Sequence, residues 1–135
     1  PWSPSGRRRA SRARGTTRGA DIRRKLTVQP ELFLVAVEGE RVVGSVMAGY
    51  DGHRGWLYYL ATAASHRGQG IGRRLVAEAE RLLGAMGCPK VQLMVRPDNT
   101  GARGFYDELG YEPFDTWATG RRLIVDGPGG PSSSA

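Results

Sequence analysis

Residues 56–87, WLYYLATAASHRGQGIGRRLVAEAERLLGAMG, change their period within one stretch. Trp56 to Ala63 is aromatic and apolar, the composition of a strand. Ile71, Leu75, Ala79, Leu82, Leu83 and Met86 then recur at offsets of three and four up to Gly87, with Pro89 just beyond, which predicts an amphipathic helix and its stop. Between them lies Arg67-Gly68-Gln69-Gly70-Ile71-Gly72, whose glycines let the backbone turn tightly and present successive N–H groups at a helix N-terminus, where an anion is favoured. The spacing is not a dinucleotide fingerprint, whose third glycine would fall at Arg73, and it lacks the Gly-Lys-Ser/Thr end of a triphosphate loop. Arg73 and Arg74 stand in the first helical turn with no acid beside them, against the macrodipole by roughly 0.3–1 kcal/mol each. A bound phosphate reverses that cost; an ordinary glycine-rich turn with solvated arginines is the alternative.

Upstream, Leu32 to Val37 and Val42 to Tyr50 flank the turn Glu38-Gly39-Glu40 and read as a β-hairpin, with Gly44 marking a bulge. Asp51 to Gly55 is a second turn. Downstream, Val91, Leu93 and Val95 alternate with Gln92, Met94 and Arg96 until Pro97-Asp98-Asn99 breaks the strand. Ala102, Phe105, Tyr106 and Leu109 then give a short helix, with Asn99 as N-cap and Gly110 as its end. Tyr111 to Val125 holds two short β-like stretches around Gly120. The expected architecture is one mixed α/β sheet in the order β-β-β-α-β-α-β-β.

The chain has 135 residues, a length for one domain, with 20 basic and 13 acidic side chains and a net charge of +7. Eight arginines and one acid, Asp21, fall in residues 1–24, so that segment carries the whole excess and the remainder is balanced. The expected organisation is an Arg-rich disordered arm at 1–24, a folded domain at 25–126 and a disordered Gly/Pro/Ser tail at 127–135. A nucleic-acid partner is not expected of the neutral folded part. The lone cysteine, Cys88, with His53 and His66, makes no metal-ligand set, so no metal is expected. No apolar run approaches the roughly 20 residues of a membrane span, and the Arg-rich start is not followed by a signal peptide's apolar stretch. The expectation is a cytoplasmic protein with no membrane partner.

The run Leu60-Ala61-Thr62 through Arg67-Gly68-Gln69-Gly70-Ile71-Gly72 resembles the acetyl-CoA signature Arg/Gln-x-x-Gly-x-Gly/Ala of the GNAT N-acetyltransferase superfamily, matching at Arg67, Gly70 and Gly72. A second family element, an Asn followed by a short helix carrying a Tyr, resembles Asn99, Ala102 and Tyr106. LFLVA, GYDGHRG, GCPK and ELGYE look closest to the YpeA-like bacterial acetyltransferases. Thr62 and Ala64 stand where the family more often has Val and Pro.

The resemblance implies acetyl-CoA as co-substrate, inserted where parallel strands ending near Thr62 and Arg96 splay apart. Leu60, Ala61 and Thr62 then pair with the pantetheine arm, Gly68 to Gly72 hold the pyrophosphate, and Arg67, Arg73 and Asn99 belong to the same site. It implies direct transfer of the acetyl group to an amine of a small molecule or protein, with Tyr106 protonating the leaving thiolate; a core aromatic on the same helix face is the alternative for Tyr106. The general base is open among Asp51, His53, Tyr59 and a water relay, because Met94 stands where some relatives carry Glu. Cys88 reads as a packed thiol. The Arg-rich arm occupies the positions of the family's usual first strand and helices, so the sheet is expected to lack them and to expose an edge that favours a homodimer. Two other readings are a catalytically silent acetyl-CoA binder and a nucleic-acid module using the arm.

Overall fold

A computed structural model of the chain describes residues 17–127. The segments 1–16 and 128–135, which hold most of the expected arm and tail, lie outside the described residues. Strands β1 (Phe33–Glu38), β2 (Arg41–Tyr50), β3 (Gly55–Thr62) and β4 (Val91–Gln92) form a sheet in that order. Helices α1 (Arg18–Lys25), α2 (Ile71–Ala85) and α3 (Thr100–Glu108) accompany it. The first two pairings are antiparallel. β3 and β4 run parallel, which requires a long crossover, and α2 supplies it.

The hairpin turns at Gly39, with φ of 63°, and Val43 is the extra residue of a bulge between the pairs Ala36↔Gly44 and Val37↔Val42. Gly44 beside it is a place of close approach. A Cβ there would lie 2.8 Å from Ile71 Cγ2, 3.1 Å from Leu75 Cδ1 and 3.2 Å from the Ala61 carbonyl oxygen. Side chains alternate along a strand, so Gly44, Val46 and Ala48 face α2. Gly49 has the opposite parity, and a Cβ on it would point at Gln29 and Lys25, next to α1. The two helices therefore cover opposite faces. Leu32, Val46, Ala48 and Leu57 pack with Leu75, Val76, Ala79 and Leu83 as the core.

Both long-range helices end as their sequences predict. Past α2, Gly87 takes φ of 91°, its N–H bonds the Gly84 carbonyl and the Cys88 N–H bonds the Leu83 carbonyl, both at 3.0 Å. Asn99 caps α3 by accepting from the Ala102 N–H at 3.0 Å. Gly110, with φ of 92°, ends it in the same way as Gly87.

Three expectations need correction. Residues 18–25 are not part of a disordered arm: they form α1, so a helix does precede the hairpin. Thr17 caps it by accepting from the Ala20 N–H at 3.1 Å, Asp21 lies in its first turn, and Arg23, Arg24 and Lys25 lie in its last, all favourable to the macrodipole. Its anchors are polar and distant in sequence: Arg24 Nη2 meets Asp126 Oδ1 at 2.5 Å and the Thr17 N–H donates to Asp126 Oδ2 at 2.8 Å. Second, β4 stops at Gln92; Leu93 and Val95 keep their half-buried alternation but leave the ladder, because β3 turns away from them. Third, residues 111–126 contain no strand. Pro113 and Gly120 interrupt that segment, and beyond Tyr111 two of its large side chains bury little, Trp117 being 85% and Leu123 82% exposed.

Gly44→Ala is expected to destabilise the chain by about 1–3 kcal/mol, since Ile71, Leu75 and the Ala61 carbonyl leave no room for a methyl group. In a thermal melt that is a loss of roughly 4 °C or more.

Candidate functional site

β3 carries an irregularity that the rest of the site follows. Ser45 pairs with Ala61 and Met47 with Tyr58, so Tyr59 and Leu60 together oppose Val46. Tyr59 takes φ of 54°, a conformation bulky residues seldom adopt. The parallel pairing of β3 with β4 is confined to Gly55↔Val91 and Trp56↔Gln92. Beyond Trp56 the two chains diverge, and the β3 edge from Leu57 to Thr62 has no β4 partner.

That edge forms one bank of a cavity of about 800 Å³. Leu60, Ala61 and Thr62 line it together with Arg67, Gly68, Gly70, Ile71, Gly72 and Arg73. Gly68 and Gly70 hold φ of 80° and 81°, and a Cβ on either would meet nothing within 4 Å. Gly70 is the N-cap of α2, and the first helical bond runs from the Arg74 N–H to the Gly70 carbonyl at 3.0 Å. The amides of Ile71, Gly72 and Arg73 precede that bond and belong to the helix end whose donors lack intrahelical acceptors. Gln69 and Asn99 do not line the cavity: Gln69 is exposed in the loop and Asn99 acts as the cap of α3.

Four lining residues were not anticipated from sequence: Arg18, His66, Phe105 and Glu108. Arg18 reaches round from α1, its guanidinium 4.7 Å from the centre of the Tyr59 ring, and its Nε is buried with no hydrogen-bond partner. The buried His66 anchors the loop, with Nε2 at 2.8 Å from Glu38 Oε1 and Nδ1 at 2.8 Å from Ser65 Oγ. Phe105 closes over Gly72, where a Cβ would sit 3.4 Å from Phe105 Cζ. Glu108 Oε1 lies 4.0 Å from Arg73 Nη2.

Tyr106 follows Phe105 on α3 and faces a second cavity instead. Its ring meets Phe105 at 5.0 Å and Tyr111 at 5.4 Å, both edge to face. The Tyr106–Tyr111 contact is also the apolar contact that accompanies this type of helix end. Burial pushes the Tyr106 phenol up to about 12, so it keeps its proton through the neutral range. The residues considered as bases divide. Asp51 Oδ1 accepts from the His53 and Arg54 N–H groups at 2.8 Å each, and those amides hold its carboxyl below the usual range. Asp51 and His53 thus belong to the β2–β3 turn, at the opposite end of β3 from Thr62. The Tyr59 hydroxyl donates to Asp21 Oδ2 at 2.6 Å. Met94 is exposed, and the half-buried Cys88 donates its thiol to the Lys90 carbonyl at 3.3 Å. Among the described residues no group of three or more His, Cys, Asp or Glu is placed to hold a metal ion, and no helix is long and apolar enough to cross a membrane.

The fold is shared with known proteins. Residues 5–111 match the acetyltransferase (GNAT) family. The chain is 53% identical over 106 residues to a Yersinia pestis protein named acetyltransferase, covering 78% of this chain and 75% of that one. An acetyltransferase of Pectobacterium atrosepticum is 52% identical over the same share of each. Among solved structures, Ard1 of Thermoplasma volcanium superposes with a TM-score of 0.65 at 27% identity, over 70% of this chain and 64% of that one. AAC(6′)-Iy in complex with the bisubstrate analogue CoA-S-monomethyl-acetylneamine shares the fold, with a TM-score of 0.64 at 20% identity over 76% of each chain. The chain belongs to the GNAT acetyltransferase family and is an acyltransferase.

The phenols of Tyr106 and Tyr111 are both raised by burial, Tyr111 also by its bond to Glu80. Above pH of about 10 the unfolded chain therefore releases protons that the folded chain retains, and stability falls as pH rises toward about 12. Urea unfolding at increasing alkaline pH is expected to show that decline, and Tyr106→Phe to make it shallower while Tyr111 preserves the remainder.

Proposed function

We propose that the chain transfers an acetyl group from acetyl-CoA directly to an amine, and that the glycine-loop cavity holds the donor. The observation that carries this reading is one cavity bounded by both an unpaired strand edge and a glycine-rich helix N-terminus. The edge of Leu60, Ala61 and Thr62 offers main-chain hydrogen bonds to an extended amide-bearing arm. The loop from Gly68 to Gly72 offers N–H donors to phosphate, with Arg67 and Arg73 adding positive charge. The fit is steric as well as electrostatic, because neither Gly68 nor Gly70 leaves anything within 4 Å where a side chain would have stood. Acetyl-CoA, when bound, supplies the activated acyl group as a thioester.

The chain's own residues do the remainder. Tyr106, protonated at neutral pH and next in the chain to Phe105 on the donor cavity's wall, is the group assigned to give a proton to the departing thiolate, and Asn99 acts by fixing the first turn of the helix that carries it. Gln69 contributes its backbone to the loop. Relatives named acetyltransferase at more than half identity support acetyl as the group moved. In this reading the acceptor is an amine, whose neutral nitrogen attacks the thioester carbonyl directly.

At 100 times its dissociation constant, acetyl-CoA is expected to add about 2.7 kcal/mol to the folded state, a rise on the order of 10 °C in the melt. A cooperative melt with no rise overturns the reading. Tyr106→Phe should retain that rise while lowering kcat by about 10²–10⁴; unchanged turnover removes the phenol from the chemistry and leaves it as packing.

A further inference from the structure

Arg18 stands where α1 meets the edge of β3 that β4 leaves unpaired. Its guanidinium lies 4.7 Å from the centre of the Tyr59 ring, and it lines the glycine-loop cavity with Leu60, Ala61 and Thr62. Among the described residues its Nε alone is a buried side-chain polar atom without a hydrogen-bond partner. A buried N–H left unpaired is costly, so this one calls for an acceptor that the chain does not supply. The acids around it are placed elsewhere. Asp21 takes Arg24 on Oδ1 and the Tyr59 hydroxyl on Oδ2, and Glu38 meets His66. Glu108, the carboxylate on the cavity wall, lies 4.0 Å from Arg73 Nη2, at the start of α2. A stacked guanidinium keeps its N–H groups in one plane, a fork that matches the paired oxygens of a carboxylate or phosphate. The ring beneath it is itself held, with Tyr59 at φ of 54° and its hydroxyl tied to Asp21.

Position along the cavity decides which anion. With the donor's pyrophosphate on Gly68 to Gly72, its arm runs back along Thr62, Ala61 and Leu60, and the thioester comes to the Tyr59 end. The phosphates then lie at the loop with Arg67 and Arg73, and Arg18 lies where the acyl group meets its acceptor. We propose that Arg18 binds a carboxylate of the acceptor, and that the chain acetylates the amine of a small amino acid in preference to an uncharged amine. This rests on the reading of the cavity as the acetyl-CoA site. A cavity of about 800 Å³ is the size of a single small-molecule site, so an acceptor that shares it with the donor's arm is small. In the reaction the C–S bond breaks as the acyl carbon bonds to nitrogen. The neutral amine gives up one proton, the thiolate gains one to leave as free CoA, and the carboxylate stays ionised against Arg18 throughout.

Matched pairs of acceptors provide the test: glycine, L-alanine, β-alanine and γ-aminobutyrate, each against its carboxamide. Release of free CoA thiol from acetyl-CoA would be followed on the full chain, on Arg18→Gln and on Arg18→Lys, with rates referred to the neutral amine of each acceptor. The unsubstituted chain is expected to favour acid over amide in kcat/KM by roughly tenfold to a hundredfold, the worth of hydrogen bonds to a charged group. Arg18→Gln is expected to bring that ratio to about one, with Arg18→Lys, which keeps the charge and loses the fork, between the two. Support of the Tyr59 ring alone would lower acid and amide turnover together and leave the ratio standing in both variants, which overturns the inference. So does an unsubstituted chain that binds acetyl-CoA, by titration calorimetry, but acetylates no acid of the panel or acetylates the amides equally fast. A loss of acetyl-CoA affinity of about tenfold or more in Arg18→Gln with the ratio kept gives the guanidinium to a donor phosphate and overturns it as well. Failure of acetyl-CoA to bind the unsubstituted chain overturns the donor reading itself and the inference with it.

Discussion

The site depends on the parting of β3 from β4 after two residue pairs. The bulge that places Tyr59 and Leu60 opposite Val46 adds a residue to one strand, and the strand must bend to accommodate it. With the ladder interrupted, Leu60 to Thr62 keep an edge that β4 does not pair among the described residues, and the glycine loop reaches that edge before α2 begins. Had pairing continued to Val95, the cleft would be closed by the sheet itself. The cost of the arrangement is a tyrosine at positive φ, tolerated because its ring lies under Arg18 and its hydroxyl on Asp21.

α2 and α3 were legible because their signals are local. Their apolar residues repeat at helical spacing, and Gly87, Asn99 and Gly110 mark ends where backbone groups need a cap or a left-handed turn. The tight turn at the glycine loop was legible for the same reason, since Gly68 and Gly70 take positive φ, which glycine adopts at least cost. The hairpin and its bulge beside Gly44 also followed from local pattern.

What escaped the sequence is what long-range partners decide. α1 has little apolar periodicity, and its placement comes from Asp126, a residue at the other end of the described chain. The strands expected between Tyr111 and Val125 had suitable composition, but the segment does not pair with the open edge of β4. Tyr59 carries no mark of its backbone conformation, since aromatic residues are ordinary in strands. His66 and Arg18 became visible only when folding brought Glu38 to one and the Tyr59 ring to the other. Of the two readings of Tyr106, the structure describes the packing one: its ring completes the helix end with Tyr111, beside the second cavity.

The clasp between Thr17, Arg24 and Asp126 closes a loop spanning nearly all of the described chain. Closing so long a loop in a disordered chain is entropically costly, whereas the sheet and α2 assemble from nearer neighbours. α1 therefore docks late, onto a surface already formed, and it is held there by an ion pair and a few hydrogen bonds with only Ala20 and Lys25 buried. It can open locally without unfolding the sheet. Since Arg18 travels with it, one wall of the glycine-loop cavity is only as firm as the contact between Arg24 and the buried Asp126 carboxylate, a pair that salt screens weakly.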